Sequence, residues 1–432
     1  MSYFWERMEQ RLGGEYADFR RAMKEPPSTG VRLRQTPAGW FDAYLPQQVP
    51  WHPDGRILGR RPDFTLDPLF HAGGYYVQEP SSMIVYRAAA GVLGSDSRVL
   101  DMCASPGGKS TLLSALGPAV VVANEPIASR VAALQENMAK FGGINWVVTR
   151  ADPEAFGQAY FDFVLVDAPC SGEGLWRKMP EAEREWSMHR VATCASRQAR
   201  ILSAAYRALK PGGRLVYTTC TFAFEENETN AAGFSKNHPD MVPVEFDFPE
   251  SWGVEELAEG YALLPHRCVG EGFYLAAWDK DDGPCPRISG RLPQEGRPRM
   301  ETPGRWYDYG GTWRVAEPEA ARTASVMPGV RAVGVAAGKD GRKGFVPAHE
   351  AAYLPGDGLE LDRLAALRYL KGEVPLPPPE HPGQILRLTY QGLGLGWAKA
   401  AGPDRWNSSL PPVLRIRKSI DGPTSAPAKA EE

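Results

Sequence analysis

The sequence predicts a doubly wound α/β fold, and three observations carry that prediction. Between residues 98 and 221, apolar runs rich in β-branched residues (RVLDMCA, AVVVANE, NWVVTRAD, FDFVLVDAP, GRLVYTTCT) alternate with segments of helical periodicity. Near-continuous apolar strands are those buried on both faces, as in a parallel sheet covered by helices. The first run leads at once into CASPGGKST, a glycine turn and helix start at the place where such sheets carry their ligand loop. The helical segments end at glycines, ASRVAALQENMAKFG at Gly142-Gly143 and ARILSAAYRALKPGG at Gly212-Gly213.

The 432 residues are enough for roughly two to four domains, each with its own core. Residues 1–95 read as a small α+β domain: an amphipathic helix, then VRLRQ, WFDAYLP and a Pro/Gly-rich connector to YYVQEPSSM. The sheet domain occupies 96–280. A Pro/Gly/Arg-rich linker (281–304) opens a first C-terminal domain, 281–373, with the strand candidate RWYDYGGTWRV. The stiff run VPLPPPEHP begins a segment, 374–418, that contains QILRLTYQGLGLGWAKA. Residues 419–432 are expected to be disordered.

No run of eighteen apolar residues exists, so no transmembrane helix is expected, and the N-terminus lacks a signal-peptide core. A cytoplasmic protein is therefore expected. Its six cysteines form no CxxC pair and no histidines stand at zinc spacing, so reduced thiols without a metal are expected. The formal net charge is −3, yet residues 281–432 count to about +3, a mildly basic third that suits a nucleic-acid partner.

CASPGGKST resembles a phosphate-binding loop but fails as one. Such a loop needs glycine where Cys103 stands, and Pro106 stiffens its middle. What remains, Cys103, Ala104, Ser105, Pro106, Gly107, Gly108 and Lys109, is a cradle whose glycines admit close approach and whose amides suit a carboxylate. The second strand ends in Glu125, an acceptor for ribose hydroxyls, and the third leads to Asp152, an acceptor for an adenine amine. Ribose, adenine and a small carboxylate together describe S-adenosylmethionine.

The fourth strand runs into DAPCSGEG, with Asp167 and Cys170, and the fifth into YTTCTF, with Cys220. Both strand ends are expected beside the first strand, so both thiols face one cleft. Amine methylases carry an Asp/Asn-Pro-Pro-aromatic loop here; Pro169-Cys170 instead suits a carbon target. Pyrimidine carbon 5 is a poor nucleophile, and a thiolate added at carbon 6 converts it into a reactive enamine. Asp167 is placed to protonate or hydrogen-bond ring nitrogen 3, and Lys109 is a cation able to lower a thiol pKa.

CASPGGKS, DAPCSGEG, YTTCTF followed by EEN, and PHRCVGEGFYLA resemble the motifs of the Nop/Sun (Fmu) family of RNA cytosine-5 methyltransferases over roughly residues 75–280. The resemblance implies a class I S-adenosylmethionine-dependent methyltransferase fold, Cys220 as nucleophile and Cys170 as the residue that assists resolution of the adduct. It also implies cofactor contacts from Cys103–Lys109, Glu125, Arg130, Asp152 and Asp167. Ser105, where alanine is usual, and ADPEAF, where a Gly-Asp pair is common, depart from the pattern. RKMPEA, GLGLGWAK and LPPVLRI resemble the bacterial RsmF-type 16S rRNA methyltransferases, which implies C-terminal modules with a PUA-like RNA-binding fold. Arg177 and Lys178 beside the cleft, with Trp397, Lys399 and Arg415 near the C-terminus, are the expected RNA contacts. The expected reaction is methyl transfer to cytosine carbon 5 in 16S rRNA by a monomer. The alternatives are the same chemistry on tRNA, or a non-catalytic rRNA-binding assembly factor.

Overall fold

The computed structural model describes residues 2–285, 288–342, 344–381 and 383–420, so positions 421–432 of the tail expected to be disordered lie outside the described residues. The apolar runs form the centre of a ten-stranded sheet. Its strands are β1 (Arg98–Asp101), β2 (Val120–Asn124), β3 (Trp146–Thr149), β4 (Phe161–Asp167), β5 (Leu209–Thr219), β6 (Gly260–Leu263), β7 (Phe273–Lys280) and β8 (Val330–Val333), with two short strands at one end. The order is β8-β3-β2-β1-β4-β5-β7-β6. Strands β1 to β5 run parallel, whereas β7 is antiparallel to β5 and β8 antiparallel to β3. Every side chain of β2 and β3 is buried, as continuous apolar runs require.

Three helices matter for the site: α1 (Gly108–Ser114), α2 (Ala128–Phe141) and α3 (Met188–Ala208). Gly142 caps α2 and Gly143 follows at φ +68°, as the sequence predicts. Helix α3 stops at Ala208, earlier than the glycines suggest, because Leu209 is already extended and pairs with Phe161. The KPGG segment is instead a bulge within β5: the register steps from Phe161↔Leu209 to Phe163↔Arg214.

The flanking segments are packed onto this sheet. The N-terminal helices Ser2–Leu12 and Tyr16–Ala22 bury Phe4, Met8 and Phe19 against Trp176, Phe222 and Leu264. A four-stranded antiparallel sheet (Gln47–Gln48, Gly55–Leu58, Thr29–Leu33, Tyr75–Val77) shares a core with Leu367, Tyr369 and Leu388 from the C-terminal region. Residues 281–373 contribute a five-stranded sheet and also lend β8 to the central one, and Trp306, Val315 and Val335 pack on Leu134, Met138 and Trp146. The last sheet is built on the hairpin Ile385–Tyr390/Leu393–Gly402, whose Gln391 and Gly392 both have positive φ (52° and 74°), the turn that matches strand twist. Among the described residues no helix is long and apolar enough to cross a membrane.

Phe19 is fully buried, its ring 5.3 Å from that of Phe222, two residues beyond Cys220. Phe19→Ala is expected to cost about 3–5 kcal/mol in urea unfolding and to lower activity by loosening the Phe222 loop.

Candidate active site

Parallel pairing of β4 with β5 sets Asp167 opposite Thr218. The chain after β4 stays beside β5: the Ala168 N–H donates to the Thr218 carbonyl (2.9 Å) and the Gly174 N–H to the Cys220 carbonyl (2.9 Å). The thiols of Cys170 and Cys220 therefore meet, Sγ to Sγ, at 3.1 Å. The expectation that both strand ends adjoin β1 needs correcting, since β4 does and β5 lies one strand further out, against β4. Contact with the first-strand loop reaches across β4 through Lys109.

The Lys109 Nζ donates to Asp167 Oδ2 at 2.8 Å and lies 5.1 Å from the centre of the Phe273 ring. Thr218 Oγ1 donates to the other carboxylate oxygen of Asp167 at 3.0 Å. Burial opposes the Lys109 charge, but the Asp167 carboxylate, with Cys220 and Asp101 behind it, outweighs burial and raises the lysine pKa. Lys109 thus stays an ammonium ion. The contact with Cys220, reinforced by burial, pushes the Cys170 thiol well above the ordinary thiol range. Burial likewise pushes up the Cys103 thiol, which makes it an unreactive wall. Beneath Lys109, Asp101 is 1% exposed and accepts from Ser110 Oγ at 2.6 Å; burial raises its pKa to about 7.

Two further buried carboxyls join the cysteine loops. The hydroxyls of Ser171 and Thr221, the residues that follow the two cysteines, lie 2.9 Å apart. Both hydroxyls donate to Glu173, and Ser171 also meets Glu226 through its hydroxyl and its N–H. Burial pushes Glu226 up to about 7.

On the other side of Asp167 lies the glycine loop. Gly107 adopts φ +112°, which favours glycine, and an added Cβ would stand 3.3 Å from Leu134 and 3.4 Å from Asn137. Arg130 and Ser105 are cross-tied: Arg130 Nη2 donates to the Ser105 carbonyl (2.7 Å) and Ser105 Oγ to the Arg130 carbonyl (3.1 Å). Arg130 also approaches Glu125 Oε2 at 3.4 Å, while Ile127 N–H donates to Glu125 Oε1. The buried amide of Asn124 ties the first three strand ends together, donating to the carbonyls of Met102 and Ala151 and accepting from Ala151 N–H and Thr149 Oγ1. Asp152 stands apart from the clefts: 60% of its side chain is exposed, it caps the turn Pro153–Ala155 and its nearest cation is Arg200 at 3.9 Å.

Two clefts share Asp167 and Cys220 as a common wall. One, of about 320 Å³, is bordered by Cys103, Ser105, Arg130, Asp167 and Cys170. The other, of about 440 Å³, adds Lys109 and Phe273 from the sheet domain and Gln78 and Glu79 from the N-terminal domain. The first fits S-adenosylmethionine by its lining: the Asp167 carboxylate, the glycine-loop residues Cys103 and Ser105, and Arg130, 47% exposed, which pairs with the buried Glu125 (2% exposed) behind it.

A parallel sheet in this order, with an antiparallel β7 inserted between β5 and β6 and a ligand cleft over the first and fourth strands, defines a class I S-adenosylmethionine-dependent methyltransferase. Family comparisons are more specific. Residues 92–279 match the family described as 16S rRNA methyltransferase RsmB/F, residues 2–80 the N-terminal domain of 16S rRNA methyltransferase RsmF, and residues 358–416 the methyltransferase RsmF PUA domain. The chain is 30% identical over 466 residues to ribosomal RNA small subunit methyltransferase F of Pectobacterium atrosepticum, covering 96% of this chain and 94% of that protein. It is 40% identical over 241 residues to the protein of the same name from Erwinia tasmaniensis, an alignment spanning 53% of this chain and half (50%) of that protein. A methyltransferase homolog from Pyrococcus horikoshii superposes with a TM-score of 0.56 at 26% identity, covering 65% of this chain and 95% of that one. The chain belongs to the RsmB/F family of 16S rRNA methyltransferases.

Two expected RNA contacts are corrected. Arg177 is turned inward, its side chain 7% exposed: it donates to the carbonyls of Glu25, Pro26 and Gly270 and pairs with Glu271 at 3.4 Å, clamping the N-terminal domain to the sheet domain. Trp397 is buried against Ala351 and Ala352, because its position on the pleat of the last hairpin faces the core. Lys178 is exposed on the second cleft, and Lys399 and Arg415 are exposed on the C-terminal sheet domain. Sequence reasoning gave no role to Asn124, Ser171, Glu173, Gln198 or Glu226. Ser171 and Glu173, within DAPCSGEG, and Glu226, within the EEN triplet, lay in motifs already singled out, but only as neighbours of the cysteines.

Arg177→Ala should lower stability by about 1–3 kcal/mol, the cost of leaving the buried Glu271 carboxylate without its partner, as measured by chemical unfolding. Asp101 and Glu226 hold their protons more tightly folded than unfolded, since ordinary values are 3.8 and 4.5. Their stabilising contribution is complete at low pH and is lost as pH rises through about 7. The melting temperature should therefore fall as pH rises from about 4 to about 7, with a flatter slope in Asp101→Asn.

Proposed function

We propose that this protein transfers a methyl group from S-adenosylmethionine to carbon 5 of cytosine in 16S rRNA through a covalent bond between Cys220 and cytosine carbon 6. The observation that carries the reading is the pair of thiols in contact at 3.1 Å beside the Lys109–Asp167 ion pair. A cleft that served only to bind RNA has no use for two touching thiols and a buried cation.

The Cys170 thiol is held well above the ordinary thiol range, while Lys109, held as an ammonium by Asp167, favours negative charge on Cys220. Cys220 is the nucleophile in this reading. Its sulfur bonds to carbon 6, and the electron pair of the carbon 5–carbon 6 double bond becomes available at carbon 5. Asp167 faces the same cleft and is the group placed for ring nitrogen 3. Bound S-adenosylmethionine supplies the electrophilic methyl group. Removal of the carbon 5 proton by a base then restores the double bond as the carbon–sulfur bond breaks, and the Cys170 S–H stands next to the departing sulfur. The cytosine must leave its stack to enter the cleft.

In this reading residues 96–280 carry the chemistry and meet the rRNA at the cleft through Lys178, 1–95 form a small domain that contributes a cleft wall, and 281–373 and 374–418 are C-terminal modules that hold rRNA through Lys399 and Arg415. The protein acts as a monomer in the cytoplasm.

Transfer of labelled methyl to unmodified 16S rRNA, followed by bisulfite mapping, tests the reaction; label at a position other than cytosine carbon 5 would overturn it. Cys220→Ala should abolish both methylation and denaturant-resistant protein–RNA adducts. Cys170→Ala should accumulate the adduct. Lys109→Gln should lower kcat/KM by about 10²-fold.

A further inference from the structure

We propose that Glu226 is a positioning residue which, with Glu173, locks the Cys170 and Cys220 loops into one hydrogen-bonded unit and so holds the two thiols at the separation that adduct resolution requires. This rests on the cysteine chemistry proposed above and assigns it a second layer of residues.

Glu173 and Glu226 are both completely buried. Glu226 accepts from Ser171 N–H at 3.0 Å and from Gln198 Nε2 at 2.7 Å, and the same Gln198 amide donates to the Pro169 carbonyl at 3.0 Å. The segment Pro169–Ser171 is thereby held on both sides of Cys170. Glu173 in turn accepts from Thr221 Oγ1 and from Phe222 N–H (3.3 Å), which fixes the chain immediately after Cys220. Ser171 Oγ sits between the acids, against Glu173 Oε1 at 2.8 Å and in a close contact with Glu226 Oε1.

Counting protons gives the state of this cluster. Ser171 and Thr221 supply one hydroxyl proton each, yet three contacts link these hydroxyls to the two carboxyls and a fourth links the hydroxyls to each other. A proton on Glu226 raises the supply to three. Glu226 then donates to Ser171, and Ser171 and Thr221 each donate to Glu173, which leaves the two hydroxyl oxygens as neighbours with no proton between them. The Glu226 proton also relieves the repulsion of two buried carboxylates, and the raised Glu226 value agrees with it. A protonated Glu226 has the shape and donor pattern of glutamine: an oxygen for Ser171 N–H and Gln198, and a donor for Ser171 Oγ.

The test uses the full chain, labelled S-adenosylmethionine and unmethylated 16S rRNA transcript, reading methyl transfer and denaturant-resistant protein–RNA adduct in the same samples. Glu226→Ala should retain a first round of methyl transfer, lose at least about tenfold in multiple-turnover rate and accumulate adduct as Cys170→Ala does. Glu226→Gln should recover most of the turnover and clear the adduct. The double variant Glu226→Ala/Cys170→Ala should trap no more adduct than Cys170→Ala, because both act on one step. Should Glu226→Ala not fold, Ser171→Ala removes the bridging hydroxyl and is expected to accumulate adduct in the same way. Parent-like turnover without adduct in the alanine variants, or equal losses in Glu226→Ala and Glu226→Gln, would overturn the assignment. If Cys170→Ala itself methylates without trapping adduct, the cysteine reading fails; if it traps and the Glu226 and Ser171 variants do not, only the positioning role fails.

Discussion

The site depends on the parallel pairing of β4 and β5. With Asp167 opposite Thr218, the two loops leaving the sheet have nowhere to go but alongside each other. Close packing there leaves no room for side chains. A Cβ on Gly174 would stand 2.9 Å from the Cys220 carbonyl and 3.0 Å from that of Gly272, and one on Gly272 would overlap the Phe222 ring at 2.4 Å. The glycines of DAPCSGEG and GEGFY are thus packing residues, and the thiol contact follows from them. Backbone pairing, glycine contacts and buried acids converge on one short separation between two sulfurs.

Electrostatics then makes two equivalent side chains unequal. Both cysteines leave strand ends and share one cleft, but Cys170 is enclosed beside the Glu226 carboxyl, whereas Cys220 lies near Lys109 and adds to the Asp167 field that keeps the lysine charged. A carboxylate at 2.8 Å keeps the lysine charged despite burial, since a unit charge at that distance in a partly desolvated site outweighs the cost of removing water. The cation is therefore suited to stabilise a neighbouring anion rather than to accept its proton.

The flanking domains are part of the same construction. The N-terminal sheet brings Gln78 and Glu79 to the cleft, and Glu79 caps the turn Ser81–Ser82 while also accepting from Glu271 N–H at 3.0 Å. Arg177 fastens that domain from the far side through main-chain carbonyls. The N-terminal and C-terminal sheets share one apolar core, so the basic surface carrying Lys399 and Arg415 is mounted on the catalytic body.

By itself the sequence determined the central sheet, because a parallel strand buried on both faces must be written as a continuous apolar run, and it determined the glycine loop, because only glycine tolerates φ +112° there. It also singled out Asp167, Lys109, Cys170 and Cys220, whose chemistry is unusual enough at strand ends to stand out. Tertiary structure alone decided which polar residues are free and which are occupied. Arg177 and Trp397 have the composition of an RNA surface, yet folding turns one onto carbonyls and the other into the core. Asp152 has the composition of a cofactor ligand, yet it caps an exposed turn while the unremarked Asn124 joins the strand ends. The buried acids Glu173 and Glu226 were legible only as letters in motifs. Their role comes from contacts with Ser171 and Thr221 across as many as 55 residues of chain, which no local periodicity encodes.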